Sequence, residues 1–185
     1  MTAIVVPEAA TTAAALPRDD EPLFEIIDGQ RVEVPPMSAF ATFIASTLFG
    51  QLFLHAQSRG HLVMETLFRL AGLDRNRRPD VAFVAFERWP KPGPENKDDN
   101  AWDVVPNLAI EVVSPNDLAE ELLIKMEEYF RSGVELVWIV YPKDAQVYVY
   151  RSPKEVRILS RTDTLEGGTV LPELRLPLAD LFPAA

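Results

Sequence analysis

Three residues in the middle of the chain have types that do chemistry together: Asp80, Glu111 and Lys125. Asp80 opens the apolar run Val81-Ala82-Phe83-Val84-Ala85-Phe86, and Glu111 interrupts Leu108-Ala109-Ile110-Glu111-Val112-Val113 where a buried strand asks for a hydrophobe. Two carboxylates and a backbone carbonyl make an adequate protein share of a site for a hard cation such as Mg2+, which takes oxygen ligands and keeps several waters. A lysine nearby can hold or deprotonate a water and offset charge developing on a phosphate. The combination suits in-line attack of water on a phosphodiester.

The segment that must position this set runs from Asn107 to Gly133. After the Glu111 strand, Ser114-Pro115-Asn116-Asp117 breaks the extended run and offers Ser, Asn and Asp as helix N-caps. Leu118 to Phe130 is helical by composition, with Gly133 as its stop. At helical spacing Leu118, Leu122 and Tyr129 fall within about 40° of one another, and Lys125 lies on the same stripe. Three strand residues from Glu111 to Ser114 climb roughly 10 Å, and nine helical residues from Asn116 to Lys125 descend roughly 13 Å. A helix folded back over its own strand therefore brings Lys125 to the level of Glu111. Singly, a lysine on an apolar face snorkels to water and an acid in a strand marks an edge. At matched depth and with opposite charge, the two point to a site.

Elsewhere, Leu23–Ile27 and Gln30–Val34 flank Asp28-Gly29 and predict a β-hairpin. Ser38 caps a helix running to about Ser58, with Phe40, Phe43, Ile44, Leu48, Leu52 and Phe53 at helical spacing. His61 to Leu70 reads as one strand and Arg75 to Arg78 as a polar connector. Trp89 to Pro106, with Pro90, Pro92, Pro94 and Pro106, reads as a long loop. Glu135–Tyr141 and Gln146–Arg151 pair as strands, Glu155–Ser160 alternates, Glu166-Gly167-Gly168 turns, and LPELRLPLADLF closes the chain. Residues 1–20 read as a loose amino-terminal tail and 21–185 as one domain, which suits a chain of 185 residues.

Composition narrows the chemistry. The chain is 48% hydrophobic and 25% charged, a globular balance. It has no cysteine, which excludes disulfides, thiolate metal sites and cysteine nucleophiles. The two histidines, His55 and His61, read as ordinary helix and loop residues and exclude a histidine-rich zinc cluster. Any metal is thus a hard one, Mg2+ or Mn2+. No apolar run approaches a membrane span, and the amino terminus lacks a basic segment, so the expected place is the cytoplasm. Net charge of −10 argues against non-specific coating of nucleic acid. Seven basic residues against four acidic ones between Arg59 and Lys91 run against that balance, concentrated just ahead of Asp80.

Pro79-Asp80, Glu111-Val112-Val113 and Lys125 together resemble the PD-(D/E)XK nuclease superfamily, with its lysine moved from the strand to the next helix. The chain more closely resembles the Uma-two family of restriction-endonuclease-like proteins. FEIIDGQRVEVPP is similar to that family's amino-terminal hairpin and RRPDVAFV to its first acidic strand. AIEVVSPND with Lys125 and EYFRSGVELVWIVYPKDAQVYVYR is similar to its central unit, and LPELRLPLADLF to its ending. The resemblance covers about residues 22 to 182. It implies an α/β (α+β) restriction-endonuclease-like fold: a central mixed β-sheet flanked by helices, with an amino-terminal β-hairpin.

It further implies Asp80, Glu111 and the Val112 carbonyl as metal ligands, Lys125 as the catalytic lysine, and Glu25 as a further site acid at the cleft rim. Val113 stands where the superfamily's usual lysine would be, and Ser38-Ala39 where many members carry a histidine. Arg75, Arg77 and Arg78, just before the acidic strand, are expected at the cleft mouth on phosphates. Glu65 reads as structural and Ser114 as a cap. The leading expectation is a Mg2+-dependent (or Mn2+-dependent) DNA endonuclease, acting as a homodimer if it cuts both strands. The alternatives are a non-cutting module that binds nucleic acid or a protein partner, and a structural module whose polar cluster is only a buried ion network.

Overall fold

The computed structural model describes residues 5–6, 22–95 and 99–183. In chain order the strands are β1 (Val5–Val6), β2 (Phe24–Ile27), β3 (Gln30–Glu33), β4 (Gly60–Met64), β5 (Phe68–Arg69), β6 (Arg75–Arg77), β7 (Val81–Ala85) and β8 (Leu108–Val112). They continue with β9 (Leu136–Tyr141), β10 (Gln146–Ser152), β11 (Glu155–Ser160), β12 (Thr164–Gly167) and β13 (Leu171–Pro177). The helices are α1 (Ala39–Ala56), α2 (Ala119–Ser132) and the single turn α3 (Leu178–Leu181). The tail expected over residues 1–20 lies outside the described residues, apart from Val5–Val6, whose backbone pairs with β3.

The main sheet has six strands in the order β11-β10-β9-β8-β7-β4. All neighbours are antiparallel except β8 and β9, which are parallel and joined through α2. A parallel pair needs such a crossover, and burial on both faces explains the nearly unbroken apolar runs of β8 and β9. On one face, Ile44, Leu48 and Leu52 of α1 pack against Ile110, Val112 and Trp138, with β12, β13 and α3 extending that core. On the other face, Leu122, Met126 and Tyr129 of α2 pack against Ala109, Val137 and Ile139. The alternation of β8 therefore aims Glu111 toward α2.

The amino-terminal hairpin forms as expected. Asp28 and Gly29 both take positive φ, 52° and 71°, as a two-residue hairpin turn requires. The hairpin does not stand alone. Arg75–Arg77, expected as a connector, is strand β6, and it joins β2 to β5 in a second sheet ordered β1-β3-β2-β6-β5. The single strand expected over His61–Leu70 is likewise divided: β4 belongs to the main sheet and β5 to the second. The division falls at Glu65, whose φ of 44° is uncommon for a residue with a side chain. Its N–H donates to the Asp80 carbonyl at 3.1 Å, and the Arg78 guanidinium donates to its carbonyl.

Two helix expectations change. Leu118 precedes α2 without a side-chain cap and is exposed, whereas Ser114 Oγ accepts the Ser38 N–H at 3.1 Å. Asp117 Oδ2 accepts the Ser114 N–H at 2.7 Å, so the polar residues after β8 stabilise the loop, not the helix end. Gly133 does stop α2, with φ of 102°. Ser38 caps α1, accepting the Ala41 N–H at 3.2 Å. Within α1, Phe40, Phe43 and Phe53 lie on the exposed side, away from the sheet. With 18 residues and a mean hydropathy of 1.4, α1 has the length and composition of a span, although Thr and Ser interrupt its apolar run. Here its Ala41, Ile44, Ala45, Leu48, Leu52 and Ala56 edge is buried in the main core.

Candidate active site

The side of β8 that faces α2 carries a chain of charges. Lys125 Nζ lies 3.3 Å from Glu111 Oε2 and 3.2 Å from Glu25 Oε1. Tyr129, one helical turn beyond Lys125, donates its hydroxyl to Glu111 Oε1 at 2.6 Å. Glu25 comes from β2 and also accepts the Arg78 N–H at 3.0 Å and Arg77 Nη1 at 2.6 Å. Arg77 Nε donates to Glu128 Oε2 at 2.7 Å, and Arg75 bridges Glu128 and Asp28 at 3.1 and 3.0 Å. Asp80 lies just before β7, and its Oδ2 accepts the Val112 N–H at 2.5 Å.

Burial by itself would lower the proton affinity of Lys125, but the carboxylates of Glu111 and Glu25 outweigh it and raise its pKa above the usual lysine range. Burial would raise Glu25 in turn. Lys125, Arg77 and the Arg78 N–H reverse that, and its carboxyl is held below its ordinary value. At Glu111 burial prevails over Lys125 and the pKa is raised. Burial, with the Glu111 and Glu25 carboxylates adding to it, pushes the Tyr129 phenol well up. Asp80 is pushed up to about 8, first by burial and then by the charge of Glu111.

Asp80, Glu111, Lys125 and Val112 thus meet at one place. Glu25 joins them from inside the fold, being 3% exposed, not from a rim. Of the three arginines expected at the cleft mouth, Arg77 is enclosed between Glu25 and Glu128 with its side chain 6% exposed. Arg75 and Arg78 are half-buried. Glu128 was not anticipated. Nothing local in the sequence marks it: it lies on α2, and the arginines it meets come from β6, more than 50 positions earlier. Glu65 stays out of the cluster as a bend residue, and His55 and His61 lie elsewhere on α1 and β4.

The donor set suits a hard cation. Among the described residues no lysine, arginine or histidine lies within ion-pair distance of Asp80, while Glu25, Glu111 and Glu128 each have a cationic partner. Asp80 and Glu111 repel one another, and a cation between them would relieve that repulsion. No group of three or more His, Cys, Asp or Glu side chains suited to a metal occurs among the described residues.

A mixed sheet with the antiparallel hairpin at its side, helices on both faces and this cluster on the α2 side defines a restriction-endonuclease-like fold. A crystal structure described as a putative nuclease belonging to DUF820, from Anabaena variabilis, superimposes with a TM-score of 0.76 at 21% identity. The match covers 90% of this chain and 93% of that one. The family model described as "Uma2: Putative restriction endonuclease" matches residues 11–179, and the chain belongs to that family. No curated protein matches it.

Two outcomes follow from the cluster. Arg77→Met leaves Glu25 and Glu128 without their shared cation, and removing one partner of a buried pair costs about 3–5 kcal/mol. Urea unfolding should show a loss of that size, largely restored when Glu25→Gln and Glu128→Gln are added; a fully stable single variant would refute the structural role. Asp80 titrates near 8 when folded against an ordinary 3.8, so the folded protein holds this proton to higher pH than the unfolded chain. Its contribution to stability is complete below about pH 4 and is lost as pH rises to about 8. Asp80→Asn mimics the protonated group, so with chelator present its advantage over wild type should grow across that window. A difference that stays flat with pH would show that Asp80 is not shifted.

Proposed function

We propose that this chain is a divalent-metal-dependent endodeoxyribonuclease that hydrolyses phosphodiester bonds in DNA. The observation that carries the reading is the Lys125 ammonium fixed by Glu111 and Glu25 next to a carboxylate, Asp80, that has no cationic partner among the described residues. Asp80, Glu111 and the Val112 carbonyl would hold Mg2+ or Mn2+. When bound, such an ion offsets phosphate charge and lowers the pKa of a water.

The remaining work falls to the side chains. The Lys125 ammonium donates to Glu111 Oε2 at 3.3 Å and pairs with Glu25 at 3.2 Å, which leaves donor capacity for a phosphate oxygen. Its raised pKa keeps it a cation at neutral pH, so it stabilises developing negative charge and does not act as the base. Glu25 touches Lys125 and acts through it, as a positioning residue. Tyr129 fixes the Glu111 carboxylate by its hydroxyl. Arg75 and Arg78 retain exposed surface and are assigned the phosphate backbone, while Arg77 is committed to Glu25 and Glu128. Cutting both strands of a duplex would bring two such sites together in a homodimer.

One observation favours a non-cutting module that binds a protein partner or nucleic acid. The net charge is −10, and Arg75 and Arg77, from the one basic stretch, are already paired with acids. Incubation with supercoiled plasmid separates the readings. Nicking is expected with Mg2+ or Mn2+ and not with chelator, and it should be abolished in Asp80→Asn, which should also lose Mn2+ binding in calorimetry. Binding without nicking would favour the module, and equal Mn2+ binding by both proteins would remove Asp80 from the metal site. Arg78→Ala should lower the salt slope of DNA binding by about 0.9 log units if it holds one phosphate; an unchanged slope places the substrate channel elsewhere.

A further inference from the structure

Just beyond Val112 the chain opens onto a pocket of about 410 Å³ that the catalytic cluster does not use. It lies past the carboxyl ends of the parallel strands β8 and β9, where open α/β sheets commonly take ligands. Three segments wall it: Val113–Asp117 after β8, Tyr141–Asp144 after β9, and Ser38–Ala41 at the start of α1.

The walls are built, not incidental. The Ser38 N–H to Ser114 Oγ bond ties the start of α1 to the loop after β8, and the Ser114 N–H to Asp117 Oδ2 bond fixes that loop in turn. The Tyr141 ring is braced by Tyr148, with ring centroids 4.7 Å apart. Phe40 is 44% exposed, although it is a large apolar side chain next to this opening. The lining is mainly apolar and includes flat side chains, Phe40, Tyr141 and Pro142, together with Lys143 and the acids Asp117 and Asp144.

Flat apolar walls with both a cation and carboxylates suit a neutral heteroaromatic ring whose edge carries carbonyl and amino groups. Two acids disfavour a bare phosphate. A ring stacked inside a duplex cannot enter such a pocket; it must belong to a single strand or be turned out of the helix. We propose that the pocket binds one unstacked nucleobase, packed against Phe40 and Tyr141, of the DNA strand whose phosphodiester faces Asp80 and Lys125. This rests on the nuclease reading above and adds to it a preference for a displaced or single-stranded base next to the cut.

The test uses a DNA decamer carrying one 2-aminopurine, single-stranded or within a duplex, with Ca2+ as the ion to limit cleavage. Binding to wild type should change the 2-aminopurine emission, and Phe40→Ala should weaken binding by about tenfold, as loss of one base–aromatic stack does. Phe86→Ala serves as control: Phe86 is 39% exposed and lies at the opposite end of β7 from Asp80, so that variant should match wild type. Unchanged emission on binding, no binding at all, or equal affinity of wild type and Phe40→Ala would overturn the proposal. Plasmid nicking is read separately. If wild type nicks and Phe40→Ala keeps wild-type affinity and emission, the pocket fails and the nuclease reading stands. If nothing nicks and Phe40→Ala still loses affinity, the pocket stands and the cleavage reading fails.

Discussion

An ammonium withdrawn from water sets the arrangement of charge on one side of this sheet. Lys125 points from a helix whose Leu122, Met126 and Tyr129 are buried, so its charge must be met by protein groups. Each ion taken from water costs several kcal/mol unless opposite charges and hydrogen bonds compensate. Glu111 and Glu25 do so, but two carboxylates exceed one ammonium. Arg77 answers that excess, Glu128 answers Arg77, and Arg75 carries the series out to the exposed Asp28. Asp80 stands outside the series: among the described residues no cation pairs with it, and burial, with the charge of Glu111 added, raises its pKa.

The central unit was legible because its signals are local. An acid inside an apolar run, a polar break, a helix with a lysine on its stripe and a glycine stop fix the strand, the helix and their relative depth. Lys125 and Glu111 do meet, at 3.3 Å, although α2 begins at Ala119 and the descent from Asn116 is therefore only partly helical. The second sheet was not legible in the same way. β5 and β6 are two and three residues long, too short to show alternation, and their partners are strands far away in sequence. The basic composition of Arg75–Arg78 spoke for exposure, whereas the buried acids of β2 and α2 decide that Arg77 turns inward.

Helical spacing has a similar limit. In α1 both faces are apolar, so periodicity identifies a helix without saying which face meets the sheet. Ile44, Leu48 and Leu52 are buried, and Phe40, Phe43 and Phe53 are not. In α2 the stripe was correct for Leu122 and Tyr129 and wrong for Leu118, because the chain before Ala119 is extended and no longer follows helical phase.

The span of Glu25 along the chain has a kinetic side. Its partner Arg77 stands 52 positions away, and Lys125 is more distant still. Contacts of such separation form only after long loops have closed, whereas the hairpin β9–β10 assembles from neighbouring residues. A refolding molecule can bury Trp138 of β9 while the amino-terminal hairpin is still undocked. In that interval Arg77 lacks one of its two acids and Lys125 one of its two carboxylates. Completion of this charge cluster is therefore expected late in folding, separable in time from collapse of the core.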